Sequence, residues 1–255
     1  LLELVYVNKW SKLDVGRVRY GTMVAEDGVV SDDGVTARLG EDHWLMTCTS
    51  SGAGAVWEML EDWLQTAHPE WDVHVTAVTG GLTSINVAGP NCRTLLERIV
   101  EGVDLSGDGF PYFSVRRGTV AGVADCIIWR IGFTGELSYE LHVPSGHALH
   151  VWETLLEQGA DLGCAPFGVE AQRILRLEKG HYIVGQDTDG LSKAPTAGLG
   201  GLVKLDKPDT IGLPELKAAY ERSDLPILVG LQTDDPAIVP TEASQLVDGD
   251  TARIM

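Results

Sequence analysis

Arg19-Tyr20-Gly21-Thr22-Met23-Val24 and Val29-Val30-Ser31-Asp32-Asp33-Gly34-Val35-Thr36-Ala37-Arg38-Leu39 stand on either side of Glu26-Asp27-Gly28. Asp-Gly between two β-rich runs predicts a hairpin, because both positions of its tight turn tolerate a positive φ. The second run carries an oddity. Asp32-Asp33 interrupts an otherwise apolar strand pattern, and a carboxylate pair is costly to bury without partners. Either the pair marks a bulge with both side chains solvated, or one carboxylate is held beside a cationic reacting group in a partly dry pocket.

Working outward, residues 43–48 read as a third strand. Val56, Met59, Leu60, Trp63 and Leu64 recur at helical spacing and predict a helix over 52–66. Strands follow at 73–78 and 83–88, and Gly89-Pro90-Asn91 opens a helix reaching 101. The Gly/Asp/Pro-rich stretch 103–112 reads as a linker. Beyond it come strands near 113–117, 120–130 and 138–143, then helices at 146–158 and 167–179. Residues 185–201 read as a long loop, 212–223 as a helix, and 227–232 as a strand before Pro236 and Pro240. Strands and helices without regular βαβ alternation imply an α+β fold. Leu1–Tyr6 reads as the end of a helix already under way and 251–255 as the start of a strand, so a piece of a longer polypeptide is expected.

The formal net charge is -18, with a pI near 4.6. Phosphate binding needs a basic stripe, so no nucleic-acid partner is expected, and attraction to anionic lipid is disfavoured. No segment reaches the roughly 18 continuous apolar residues of a membrane span. Cys48, Cys92, Cys126 and Cys164 match no zinc or redox motif and read as reduced thiols, which fits a cytoplasmic protein. The seven histidines form no H-E-x-x-H pattern, and no metal site is expected. Gly198-Leu199-Gly200-Gly201 lacks the spacing of a dinucleotide fingerprint.

Gly132-Phe133-Thr134-Gly135-Glu136-Leu137-Ser138-Tyr139-Glu140 is denser in chemistry. A carboxylate there can accept two parallel N–H bonds from an amidine-like heterocycle edge such as that of a pterin, with an aromatic covering the ring face. The competing reading is a hairpin with surface acids. Arg176-Leu177-Glu178-Lys179-Gly180 closes a helix, with Arg176 in a structural ion pair and Gly180 as its cap. Gly185-Gln186-Asp187 follows as turn chemistry.

Taken in order, Arg19-Tyr20-Gly21, Val30-Ser31-Asp32-Asp33, Ala88-Gly89-Pro90-Asn91, Gly132–Glu136 with Tyr139-Glu140, Leu175-Arg176-Leu177-Glu178 and Gly185-Gln186-Asp187 resemble the glycine-cleavage T-protein (aminomethyltransferase) family. Asn8-Lys9-Trp10-Ser11-Lys12-Leu13, Gly34-Val35-Thr36 and Val184–Gly190 resemble in particular the folate-binding C-terminal half of heterotetrameric sarcosine oxidase alpha subunits. The resemblance implies antiparallel or mixed sheets in several subdomains around a central folate channel, truncated at both ends. A first α+β subdomain is expected at 1–105, a second at 106–200, and the start of a C-terminal β-barrel at 201–255.

The same resemblance implies a tetrahydrofolate-dependent transfer of one carbon from a small amine or imine, yielding 5,10-methylene-tetrahydrofolate. FAD and NAD would belong to other parts of a larger assembly, including flavin-bearing partner subunits. It places Asp32 near folate N10 and the reacting carbon, and Glu140 on the pterin edge. Phe133 takes the place of a usual tyrosine, Gln172 that of a usual arginine, and Tyr20 and Thr47 line the pocket. Two alternatives stay open: a folate-dependent methyltransferase or demethylase, and a non-catalytic folate-binding factor for iron–sulfur assembly. The latter group carries a Lys-Gly-Cys-Tyr run, where this chain has Lys179-Gly180-His181-Tyr182.

Overall fold

The computed structural model describes residues 1–241, 244, 247–248 and 253–254. A short helix α1 (Leu2–Val5) leads into the expected hairpin, β1 (Val18–Val24) and β2 (Val30–Arg38). Its tip closes by Ala25 N–H bonding to Val29 O at 2.8 Å, with Gly28 at φ +78°. β3 (Trp44–Met46) adds to β2, giving a three-stranded antiparallel sheet in the order β1-β2-β3. Gly34 is required where the chain crosses this sheet, because a Cβ there would lie 2.0 Å from the Thr47 carbonyl oxygen.

Helix α2 (Ala53–Asp62) runs on through a wider turn at Trp63–Ala67, as the apolar spacing predicts. Next come β4 (Leu82–Ala88), α3 (Cys92–Leu96), β5 (Val100–Glu101), β6 (Ser114–Val120), β7 (Val123–Arg130) and β8 (Ser138–Pro144). The last five strands form one antiparallel sheet in the order β4-β8-β7-β6-β5. The boundary expected at residue 105 thus falls within the region that builds this sheet: β4 and β5 precede it, and β6 to β8 follow. Helices α4 (Ala148–Gln158), α5 (Val169–Lys179) and α6 (Leu213–Glu221) complete the helical elements, with shorter turns at 195–202 inside the stretch expected to be loop. β9 (Val247–Asp248) and β10 (Arg253–Ile254) pair as a two-stranded antiparallel ladder. The rest of the strand start expected at 251–255 lies outside the described residues.

Three expectations need correction. Residues 73–78 alternate like a strand but form no ladder. Val75 packs against the core beside Tyr6, Trp10 and Leu60, so its apolar side is used without strand neighbours. The helix expected to reach 101 ends at Leu96, because Ala121 N–H bonds to Ile99 O at 2.7 Å and draws Val100–Glu101 into the sheet. Residues 227–232 are not a strand; Ile227, Leu228, Val229 and Leu231 are exposed, with one tie from Leu228 N–H to Thr196 O.

The core falls into connected clusters that set the layers. One face of the five-stranded sheet packs Ile128, Tyr139, Leu141 and Val143 against Leu95 and Leu96 of α3 and Val151 and Leu155 of α4. Its other face presents Val115, Ile127 and Trp129 to Val18, Val35 and Ala37 of the hairpin. The far face of the hairpin packs Met23 with Tyr6, Trp10, Val56 and Leu60. Two sheets therefore face one another across a shared apolar floor, with helices outside. Burial of that floor, at about 25 cal/mol per Å², fixes how the sheets align. No helix among the described residues is long and apolar enough to cross a membrane.

Candidate functional site

Side chains alternate along a strand, so the Asp32-Asp33 pair is split between the two faces of β2. Asp32 is 5% exposed, on the face with Thr36. Its carboxylate accepts hydrogen bonds from Thr49 N–H at 2.9 Å, Thr49 Oγ1 at 2.8 Å and Asp33 N–H at 2.7 Å. A Cβ on Gly52 would lie 2.0 Å from Asp32 Oδ2, so the loop wraps closely around this acid. Asp32 is thereby committed to holding the segment after β3.

Asp33 lies on the face shared with Val35 and Ala37, toward the second sheet. Tyr20 Oη donates to Asp33 Oδ2 at 2.8 Å, and Tyr20 and Tyr182 hydroxyls are 2.8 Å apart. Burial first, then the nearby Asp32 charge, outweighs the Tyr20 hydrogen bond and pushes the Asp33 carboxyl up to about 6. Burial and the Asp33 charge push Tyr20 far above the usual phenol range, and burial raises Tyr182 to about 12. Both phenols remain neutral donors near neutral pH.

Glu140 rises from β8 in register with Trp129 of β7 and Asn86 of β4, so all three share the face toward the hairpin. Among the described residues no donor bonds its carboxylate; His142 Nε2 is nearest of the basic groups, at 3.7 Å. Burial pushes Glu140 up to about 7 and His142 down to about 4, so this contact is no ion pair near neutral pH. The Trp129 and His142 rings lie 4.2 Å apart, and Trp129 Nε1 and His142 Nε2 are buried without hydrogen-bond partners among the described residues. Buried polar groups left unpaired in one region mark a place where a ligand or water completes the bonding.

Phe133, in the β7–β8 loop, stacks on His181 at 5.7 Å, and its carbonyl oxygen lies 2.8 Å from His181 Nδ1. Arg176, 3% exposed on α5, pairs with Asp187 and donates to His181 O at 3.0 Å. Asp187 also accepts from Ile183 N–H at 2.7 Å. This buried pair shapes the segment that delivers His181 and Tyr182, in keeping with the structural role expected of Arg176.

Tyr20 and Phe133 are thus linked through the segment after α5, which carries Tyr182 and His181, while Glu140 stands on β8 beside Trp129 and Asn86. Thr47 is not a free pocket group. Its Oγ1 accepts from Val35 N–H at 3.2 Å and donates to Val35 O at 2.9 Å, so the hydroxyl extends the β2–β3 pairing. Gln172 lines a separate cleft of ≈ 590 Å³ along edge strand β4, with Asn86, Asn91, Trp152 and Phe167; neither Asp33 nor Glu140 borders it. Sequence reasoning missed Tyr182 and His142. The only signal for them was a tyrosine beside a histidine after the helix cap, and a histidine on an otherwise apolar strand. Among the described residues no three His, Cys, Asp or Glu side chains gather to hold a metal ion, and all four cysteines are free thiols.

The profile of the GCVT N-terminal domain family matches residues 1–207. The chain belongs to this family. This GCVT N-terminal domain is 44% identical over 223 residues to sarcosine oxidase subunit alpha of Corynebacterium sp. (strain P-1), covering 88% of the chain and 22% of the relative. It is 34% identical over 231 residues to an aminomethyltransferase of Halothermothrix orenii, covering 91% of the chain and 62% of the relative. The crystal structure of the glycine cleavage system aminomethyltransferase T from Bartonella henselae matches with a TM-score of 0.74 at 23% identity, over 86% of this chain and 57% of that one. The fold is that of the T-protein, α+β with antiparallel sheets. The chain spans less than a quarter of the sarcosine oxidase subunit and under two thirds of the aminomethyltransferase.

Proposed function

We propose that this domain binds tetrahydrofolate between its two sheets and supports transfer of a one-carbon unit from a small amine or imine, yielding 5,10-methylene-tetrahydrofolate. The observation that carries the reading is a pair of acids on facing sheets: by strand register Asp33 and Glu140 each project from the face that packs the apolar floor, and among the described residues no donor bonds Glu140. A carboxylate in that state fits the two parallel N–H groups of a pterin edge. Trp129 Nε1 and His142 Nε2, without partners among the described residues, fit further polar atoms of such a ring, and Phe133 offers an aromatic flank.

Tetrahydrofolate, when bound, supplies the nucleophilic amine that accepts the carbon. The chain's own residues supply orientation and charge. Glu140 fixes the ring edge. Asp33 takes the role assigned from the sequence to Asp32: its carboxylate stabilises positive charge developing on the donor and holds or releases a proton at its carboxyl oxygen. Asp32 supports it by fixing the strand and the loop around Thr49. Similarity to sarcosine oxidase alpha subunits supports placing the domain in a larger oxidase, where flavin-bearing subunits would make the imine.

The test is tetrahydrofolate titration with wild type, Glu140→Gln and Asp33→Asn, followed by tetrahydrofolate-dependent formaldehyde consumption. Glu140→Gln should weaken binding roughly tenfold or more, the worth of one charge-assisted hydrogen bond. Asp33→Asn should bind within a few-fold of wild type but lose about 100-fold in transfer, as expected of a proton-handling group. Undiminished binding by Glu140→Gln would sink the reading.

A further inference from the structure

Tyr182 lies in a stretch, Lys179-Gly180-His181-Tyr182, whose interest in the sequence was only a missing cysteine. In the structure it reaches from the segment after α5 to β1, 162 positions away in the chain, and meets the Tyr20 hydroxyl at 2.8 Å. Tyr20 in turn meets Asp33 Oδ2 at 2.8 Å. Tyr20 has a single proton to give. With Asp33 ionised, Tyr20 donates to Asp33 and Tyr182 donates to Tyr20. With Asp33 protonated, the chain can run the other way: Asp33 donates to Tyr20, and Tyr20 to Tyr182. The two phenols keep their own protons and only turn their O–H bonds, so no heavy atom moves. The ring of Tyr182 is itself fixed, because His181 stacks on Phe133 and the Arg176–Asp187 pair holds the segment.

We propose that Tyr182 is a positioning residue for the transfer reaction, acting through Tyr20: it closes a Tyr182–Tyr20–Asp33 hydrogen-bond chain that aims the Asp33 carboxylate and keeps it hydrogen-bonded to Tyr20 in both its protonation states. The proposal rests on the reading of Asp33 given above. Hydrogen bonds in such a chain polarise one another, so the outer phenol strengthens the bond from the inner one. The other titratable groups about Asp33 are Asp32 beside it on β2, Cys48 after β3 and Tyr6 from the segment below. Cys48 and Tyr6 are neutral near neutral pH, and Asp32 is held by its own three donors, so the tyrosine chain is the adjustable part.

The experiment follows the Asp33 carboxyl by ¹³C NMR titration in wild type, Tyr182→Phe and Tyr20→Phe, and measures the pH profile of tetrahydrofolate-dependent transfer in parallel. Phe keeps the ring that packs here, and a melting curve confirms the fold. Loss of the outer donor should raise the Asp33 midpoint by about 0.5, and loss of the inner donor by more. The acid limb of the transfer profile should move by the same amount, with tetrahydrofolate binding unchanged within twofold. Fluorotyrosine at 182, a stronger donor, should move the midpoint down. A midpoint that moves in Tyr20→Phe but stays put in both 182 variants overturns the chain. A midpoint that moves as expected while Asp33→Asn transfers normally overturns the reading of the site and leaves the chain standing.

Discussion

Replacing Asp32 separates the two members of the acid pair by what each does. Its Oδ1 accepts from the Thr49 and Asp33 backbone N–H groups and its Oδ2 from Thr49 Oγ1, in a site 5% exposed. Hydrogen bonds to a charged group are worth about 1.5–3 kcal/mol each, and leaving a buried donor unpaired costs about as much. The three share one acceptor and do not add, so Asp32→Ala should cost roughly 3–5 kcal/mol, a large part of the typical 5–15 kcal/mol of a domain. Asp32→Asn behaves differently. The amide oxygen can face the two backbone donors, and its NH₂ can give to Thr49 Oγ1 after that hydroxyl turns. Only the charge assistance is lost, roughly 1–2 kcal/mol. Asp33→Asn keeps the Tyr20 bond and removes a carboxylate that burial disfavours, so at pH 8 it should cost nothing. Urea unfolding at pH 8 with a common m-value gives all three numbers. If Asp32→Ala costs under about 1 kcal/mol, or Asp33→Asn costs as much as Asp32→Ala, the division of labour is wrong.

Other outcomes follow from the same geometry. Glu140 titrates near 7 in the fold against 4.5 in the open chain, so its contribution to stability is full below about 4.5 and is lost as pH rises through 7; Glu140→Gln should flatten that fall in urea midpoints. Donors of a bound pterin edge would favour ionised Glu140, so tetrahydrofolate should bind more tightly as pH rises through about 7, with proton release visible as a buffer-dependent heat in calorimetry. Arg176→Met strands the Asp187 carboxylate and the His181 carbonyl, and should cost about 3 kcal/mol in thermal or urea unfolding, with early amide exchange in residues 181–187. Gly34→Ala drives a methyl into the Thr47 carbonyl and should lower the midpoint by more than any surface change, whereas Arg222→Ala, which breaks an exposed pair, should leave it unmoved.

The hairpin was legible because Asp27-Gly28 fixes a turn locally and the flanking runs alternate. The helices at 53–62, 148–158 and 169–179 were legible for the same reason: their signals are complete within a dozen residues. What failed depended on distant partners. Val73 and Val75 alternate as in a strand, yet alternation says which side is buried and not whether a neighbouring strand exists. Ile99 and Val100 continue a helical pattern, but Ala121 in the β6–β7 turn takes the Ile99 carbonyl and β6 pairs with Val100–Glu101. The acid pair shows the limit best. The sequence marked Asp32-Asp33 as unusual, but a shift of one residue along a strand reverses the face, and no local feature tells which acid meets Thr49 and which meets Tyr20. Tyr182 left only the faint signal of a tyrosine after the helix cap, since its partner Tyr20 lies 162 positions away.

The buried Lys207 ammonium gives to the carbonyls of Tyr6 and Asn8 at 2.6 and 2.8 Å, and Lys204 and Ile211 bond through their N–H groups to Val7 and Leu4. Lys207 and Tyr6 are 201 positions apart in the chain. During synthesis Met23, Val56 and Leu60 can cover Tyr6 and Trp10 early, but the carbonyls of Leu4, Tyr6, Val7 and Asn8 gain these partners only once the stretch up to residue 211 has left the ribosome. Contacts of so long a separation form late, so the closing of this end of the fold is a slow step in reaching the native state.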